Sequence, residues 1–242
     1  MTHGAPDNYQ VNPRPTTFTL QDDAELAERL GATPSLDRLG NVIFIDEFED
    51  GLNKWNTEVD AATTIIDESG KWSMHGGWSV KINIPADADA YAKMYRALPY
   101  PTLSKIGLES NGTSDEHLSE LISYLTFYTG SHKVTYGIKA DIPGGNIYYL
   151  NEYNLWTLFL SGVSIYYASG IFHRGKFIAD LPNLRYDRYS IATGTWSLKD
   201  KKPYVWPDYT LAHMYLEAYA KGSASGIIEV YLDSFIITQN EP

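Results

Sequence analysis

The sequence has no cysteine among its 242 residues. That excludes disulfide bonds, thiolate catalysis and cysteine-based zinc sites. It leaves the compartment open, because a domain of this length needs no covalent staples. No run of lysine and arginine occurs, and the formal net charge is −11. A phosphate backbone needs clustered cations, so neither nucleic acid nor an anionic membrane is an expected partner. No apolar run approaches the roughly 20 residues that cross a bilayer as a helix. The first residues, Met1 to Asn8, hold no basic region followed by an apolar stretch, so no secretory signal is expected.

What is present favours strands. Hydrophobic residues make up 43% of the chain, and its 19 tyrosines bring the aromatics to 14%. Such a supply suits pleated surfaces and contact faces. Residues 1–40 read as an arm, interrupted by Pro6, Pro13, Pro15 and Pro34. A short helix is predicted near 22–30, with Asp22 as its cap and Gly31 as its end. Leu20, Leu26 and Leu30 are its apolar contacts. A helix so short is marginal alone, so it should dock, either on its own domain or on a neighbouring subunit.

Residues 41–242 read as one domain of short strands. Strands are predicted at 42–45, 63–66, 78–84, 91–97, 105–109, 118–128 and 133–141. Others follow at 146–150, 155–160, 163–168, 171–179, 184–192, 211–219 and 227–238. Glu109-Ser110-Asn111-Gly112 and Pro143-Gly144-Gly145-Asn146 read as turns. A helix over 114–120 is weighed and set aside. The segment 199–208 reads as a long exposed loop. Many strands without interleaved helices predict an all-β antiparallel sandwich of the jelly-roll type.

Two end segments point further. Phe48-Glu49-Asp50-Gly51 with Trp55, and the closing Tyr231-Leu232-Asp233-Ser234-Phe235-Ile236, resemble the ends of jelly-roll, concanavalin-like carbohydrate-binding modules. The resemblance implies a structural calcium with Glu49 and Asp233 as side-chain ligands. Ser234 stands where a second Asp is frequent, and calcium takes six to eight oxygens, so two carboxylates only begin such a site. The arm, the segment 41–55, the stretch Leu98 to Gly107 and the end Ile237 to Pro242 are similar to uncharacterised proteins of tailed phages. That likeness implies a virion component, a capsid decoration or tail-associated protein.

Catalytic patterns are weak. The acidic clusters 46–50, 67–68 and 115–120 lack the Glu-x-Asp-x-x-Glu spacing of sandwich glycosidases. The six histidines are scattered, with no metal-ligand spacing. No Gly-x-Ser-x-Gly elbow or phosphate loop occurs. Aromatics within strands are read as core or support. Tyr204, Trp206 and Tyr209, near prolines in the 199–208 loop, are read as contacts for glycan or protein. The leading expectation is therefore a non-catalytic structural protein of a virus particle. It would assemble through its arm with other copies and with a capsid or tail protein. The alternative is a carbohydrate-binding adhesion module with a structural calcium. A glycoside hydrolase is the remote third.

Overall fold

The computed structural model describes residues 39–242, apart from 61–62, 115–117, 119, 164–169, 192–193 and 225. The predicted arm and helix, with Leu20, Leu26 and Leu30, lie outside the described residues.

Among the described residues the chain forms sixteen strands and no helix. The first eight are β1 Asn41–Asp46, β2 Asn56–Val59, β3 Ile65–Ser69, β4 Ser79–Ile84, β5 Tyr91–Pro99, β6 Lys105–Ser114, β7 Glu120–Tyr128 and β8 His132–Asp141. The second eight are β9 Asn146–Leu150, β10 Trp156–Leu160, β11 His173–Asp180, β12 Arg185–Ile191, β13 Gly194–Ser197, β14 Tyr204–Pro207, β15 His213–Lys221 and β16 Ile228–Gln239.

They build two eight-stranded antiparallel sheets. Sheet A runs β13-β12-β11-β6-β16-β4-β3, with β1 also on β16. Sheet B runs β10-β9-β8-β7-β15-β5-β2, with β14 also on β8. The inner faces meet in one apolar core. Val80, Ile82, Leu108, Val230, Phe235 and Ile237 come from sheet A. Ala92, Met94, Leu125, Phe127, Tyr136 and Leu216 come from sheet B. The alternation in β15, where Met214, Leu216, Ala218 and Ala220 are buried and their neighbours half-buried, is what a sheet covered on one side demands.

The expected sandwich is present, and the first and last strands pair, from Asn41 opposite Gln239 to Asp46 opposite Phe235. Three local expectations are corrected. Residues 109–112 are not a turn but the middle of β6. Flanking strands β11 and β16 satisfy their backbone, and Gly112 packs closely against Leu232. The segment 199–208 is not all loop, because Tyr204–Pro207 pair with β8. Strands β2 and β13, four residues each, carry no apolar alternation and were not expected. The predicted strand at 163–168 falls almost wholly outside the described residues.

A notch in sheet B is closed by sheet A. The edge of β8 pairs first with β14 and then with β9, leaving Gly137 between them. The fully buried Tyr186 hydroxyl accepts from the Gly137 N–H at 2.8 Å and reaches the Leu150 carbonyl at 2.9 Å.

Candidate functional site

The strand-end carboxylates are placed by the turn after β1. Asp46, nearly fully buried, accepts the Phe48 N–H at 3.1 Å and the Trp55 indole N–H at 2.9 Å. Phe48 is thereby held at a left-handed φ of 60°. Its ring packs with Trp55 and Phe235 at centroid distances of 5.7 and 6.0 Å. This aromatic plug turns Glu49 towards the loop before β4. There Glu49 Oε1 accepts the N–H groups of Gly77 at 2.7 Å and Trp78 at 3.0 Å. Gly76 fits because a Cβ on it would stand 2.1 Å from that oxygen.

Asp233 reaches the same loop from the other side. The β16–β6 register shifts between Leu232 and Phe235, a bulge that sets Asp233 and Ser234 against Asn111. Asp233 is fully buried, and its Oδ2 accepts from the N–H groups of Met74 and His75, the latter at 2.7 Å. Burial raises its carboxyl to about 6, against the two backbone donors and with help from the negative charge of Glu47 and Glu49. Arg174 meets His75 Nε2 at 2.8 Å on the loop's flank, and His75 is shifted down by burial and then by that guanidinium.

Glu49 and Asp233 therefore hold the same loop from two sides. Among the described residues no group of three or more His, Asp or Glu side chains is gathered as a metal cage. One observation bears on a cation: Asp233 Oδ1 is buried and accepts no hydrogen bond. A desolvated carboxylate oxygen facing further negative charge is the kind of donor a hard cation takes. These residues fit a calcium ion as a partial donor set.

The aromatic contacts lie elsewhere, on the outer side of sheet B. Residues directly opposite in register share a face, so four rows can be read across the strands. One runs Glu58–Lys93–Tyr219–Ile122–Lys139–Tyr148. The next runs Asn56–Tyr95–Glu217–Tyr124–Gly137, with Trp156 over Gly137. A third runs Ala97–Tyr215–Thr126–Thr135–Tyr204, with Thr126 and Thr135 buried. The fourth runs Pro99–His213–Tyr128–Lys133–Trp206.

The rings hold one another. Tyr128 stacks on His213 at 4.5 Å, Tyr91 on Tyr219 at 5.1 Å and Tyr204 on Trp206 at 6.3 Å. Tyr124 tilts against Trp156 at 5.8 Å. Gly137 lets these two rings lie on the strand, because a Cβ there would meet Tyr124 at 2.8 Å. Lysines sit among them: Lys139 lies over Tyr148 at 4.8 Å and Trp156 at 5.4 Å, and Lys93 over Tyr95 at 5.0 Å. Burial, with neighbouring charge adding to it, raises the Tyr219 hydroxyl to about 12, so it stays a neutral donor. Trp206 is 58% exposed and Tyr209 84%.

Of the expected contacts, Tyr204 and Trp206 join this face, and Tyr209 stands exposed on the loop beyond β14. The expected roles of the strand aromatics, core or support, both occur. Tyr136, Tyr186 and Tyr231 are fully buried. Tyr91, Tyr95, Tyr215 and Tyr219 are half-buried on the outer face and support one another. The signal was in the alternation: Tyr91-x-Lys93-x-Tyr95 and Tyr215-x-Glu217-x-Tyr219 interleave rings with charge, while small apolar residues fill the other phase.

No protein-family model matches the chain, and no curated protein matches it in sequence. Solved structures match the fold. The cellulose-induced protein Cip1 is 11% identical, with a TM-score of 0.52 over 81% of this chain and 96% of its own. An endo-β-1,4-glucuronan lyase from the fungus Trichoderma reesei is 11% identical, with a TM-score of 0.52 over 82% of this chain and 96% of its own. A sialidase is 10% identical, with a TM-score of 0.50 over 81% of this chain, which spans only 18% of that protein. Carbohydrate-binding modules match at TM-scores of 0.40 and 0.41. At such identities the likeness shows a shared fold. The expectation of a virion component is overturned: the solved structures that share this fold at TM-scores of 0.50 to 0.52 are named as a sialidase, a cellulose-induced protein and a glucuronan lyase, and none of these is a capsid or tail protein.

Proposed function

We propose that this protein is a non-catalytic glycan-binding domain, and that the outer face of sheet B is its binding surface. The observation that carries the reading is the interleaving of rings with Lys–Glu pairs on that face. Sugar faces stack on aromatic rings, and sugar hydroxyls exchange hydrogen bonds with charged and amide groups. The half-buried Tyr95, Tyr215 and Tyr204 and the exposed Trp206 offer stacking positions across the strands. The names of the neighbours at TM-scores of 0.50 to 0.52 support a carbohydrate partner. Affinity electrophoresis through gels holding soluble glycans tests it. Trp206→Ala and Tyr215→Ala should each weaken retention about tenfold or more, the loss of one stacking anchor. Unchanged retention in both variants would sink the assignment of this face. Release of reducing ends or unsaturated uronate during incubation would instead make the protein an enzyme.

We further propose that Asp233, through its unpaired Oδ1, and Glu49 would help to hold a hard cation, calcium by its chemistry, which would stabilise the loop before β4. Its role is structural. At neutral pH calcium should raise the melting temperature of the full chain, and a chelator should reverse this. Asp233→Asn should abolish the response. A wild-type melting curve indifferent to calcium would count against the site.

A further inference from the structure

The charges on the outer face of sheet B point to a class of glycan. This inference rests on the reading of that face as a glycan surface. Outward positions of β2, β5, β7, β8 and β15 carry four lysines, Lys93, Lys133, Lys139 and Lys221, and four carboxylates, Glu58, Glu120, Asp141 and Glu217. Two of these lysines, Lys93 and Lys139 of the first row, are already neutralised. Lys93 lies between Glu58 at 3.2 Å and Glu217 at 3.6 Å. Lys139 bonds Glu120 at 2.9 Å while two rings cover it. Hydrogen bonds from Lys93 and then Tyr91 hold Glu58 below the usual carboxylate range, so it stays ionised.

We infer that the face selects neutral glycans and rejects polyuronates, with Glu58, Glu217 and Glu120 as the residues that set this specificity. A polyuronate brings one carboxylate per sugar and needs free cations to meet it. Here Lys93 and Lys139 each have their own counter-ion. An incoming carboxylate would meet Glu58, Glu217 or Glu120 at the same lysine, and like charges side by side are penalised. The chain's net charge of −11 adds long-range repulsion at low salt. A neutral sugar meets no such conflict. Its hydroxyls can accept from the lysine and donate to the paired carboxylate, so a Lys–Glu pair serves as a matched donor and acceptor beside a stacking ring. The shared fold with a glucuronan lyase thus does not extend to its substrate's charge.

The test is affinity electrophoresis of the full chain at low and high salt. The probes are hydroxyethylcellulose, xylan and β-1,4-galactan on one side, polyglucuronate and alginate on the other. Wild type should be retarded by at least one neutral glycan and by neither polyuronate. Glu58→Gln/Glu217→Gln, which releases Lys93, should become measurably retarded by polyglucuronate where wild type is not, and that retardation should be lost at high salt. Glu217→Gln alone keeps the test open should the double variant fail to fold, as circular dichroism would reveal. Polyuronate retention of wild type equal to or above that on neutral glycans would overturn the inference and leave glycan binding standing. A folded variant that gains nothing would remove the carboxylates from specificity. Retention by no glycan would overturn the underlying reading, and the inference with it.

Discussion

At the residue scale, single polar atoms decide whether buried backbone can be tolerated. Tyr186 is the clearest case. Its hydroxyl serves the Gly137 N–H and the Leu150 carbonyl where sheet B changes edge partner. Burial, stronger than the two backbone bonds that oppose it, pushes the phenol far above its ordinary range, so it remains a neutral donor and acceptor. Tyr186→Phe keeps the ring and its edge contacts with Tyr136 and Tyr149, yet strands the Gly137 N–H. An unmet buried donor costs about 1–3 kcal/mol, so urea unfolding should show a loss of that size. A loss below about 0.5 kcal/mol would mean that water replaces the hydroxyl.

At the element scale, β16 ties sheet A together and carries charge where it meets β4. Glu229 bonds Lys81 at 2.6 Å and Lys71 at 2.9 Å, and it accepts from the Tyr231 hydroxyl at 2.9 Å. The Lys81 bond, then the Lys71 bond, holds its carboxyl down at about 2, against an ordinary value of 4.5. A carboxylate lowered on folding contributes stability above its unfolded value, and loses it as pH falls through the folded value. The window is therefore about pH 4.5 down to about 2. The side chain is 29% exposed, which screens the pairs. Glu229→Gln should cost about 1–2 kcal/mol at neutral pH and little near pH 2. Urea titrations at several pH values check this, and a pH-independent difference would contradict the linkage.

At the scale of the whole molecule, the C-terminal residues close sheet A from outside. Glu241 is buried against Lys176 at 2.8 Å and Arg188 at 3.0 Å, and it accepts from the Thr238 hydroxyl at 2.5 Å. Gly107 makes room, since a Cβ there would crowd Thr238, Lys176 and Glu241 together. Cutting one partner out of a buried ion pair leaves charge in a poorly solvated place. Glu241→Ala should therefore destabilise the fold by about 3 kcal/mol or more. Replacing Glu241 by Gln should recover part of that loss. Equal melting temperatures for wild type and Glu241→Ala would show that water reaches the pair.

The sequence by itself determined the strand-rich sandwich and the closeness of its first and last strands. Alternation and turn residues are local signals, and a closing strand beside an opening one is a common outcome of sandwich topology. Only tertiary structure decided the rest. Residues 109–112 look like a turn until β11 and β16 satisfy their backbone on both sides. Glu49 and Asp233 can be paired by sequence, but the loop N–H groups they hold become visible only with Phe48 left-handed and β16 bulged. The outer face of sheet B needs seven strands placed in register before its tyrosines and lysines share a surface. A side chain's phase along a strand is written in the sequence. Whether that phase meets core or solvent depends on which sheet covers it, and on which neighbours lie across the strands.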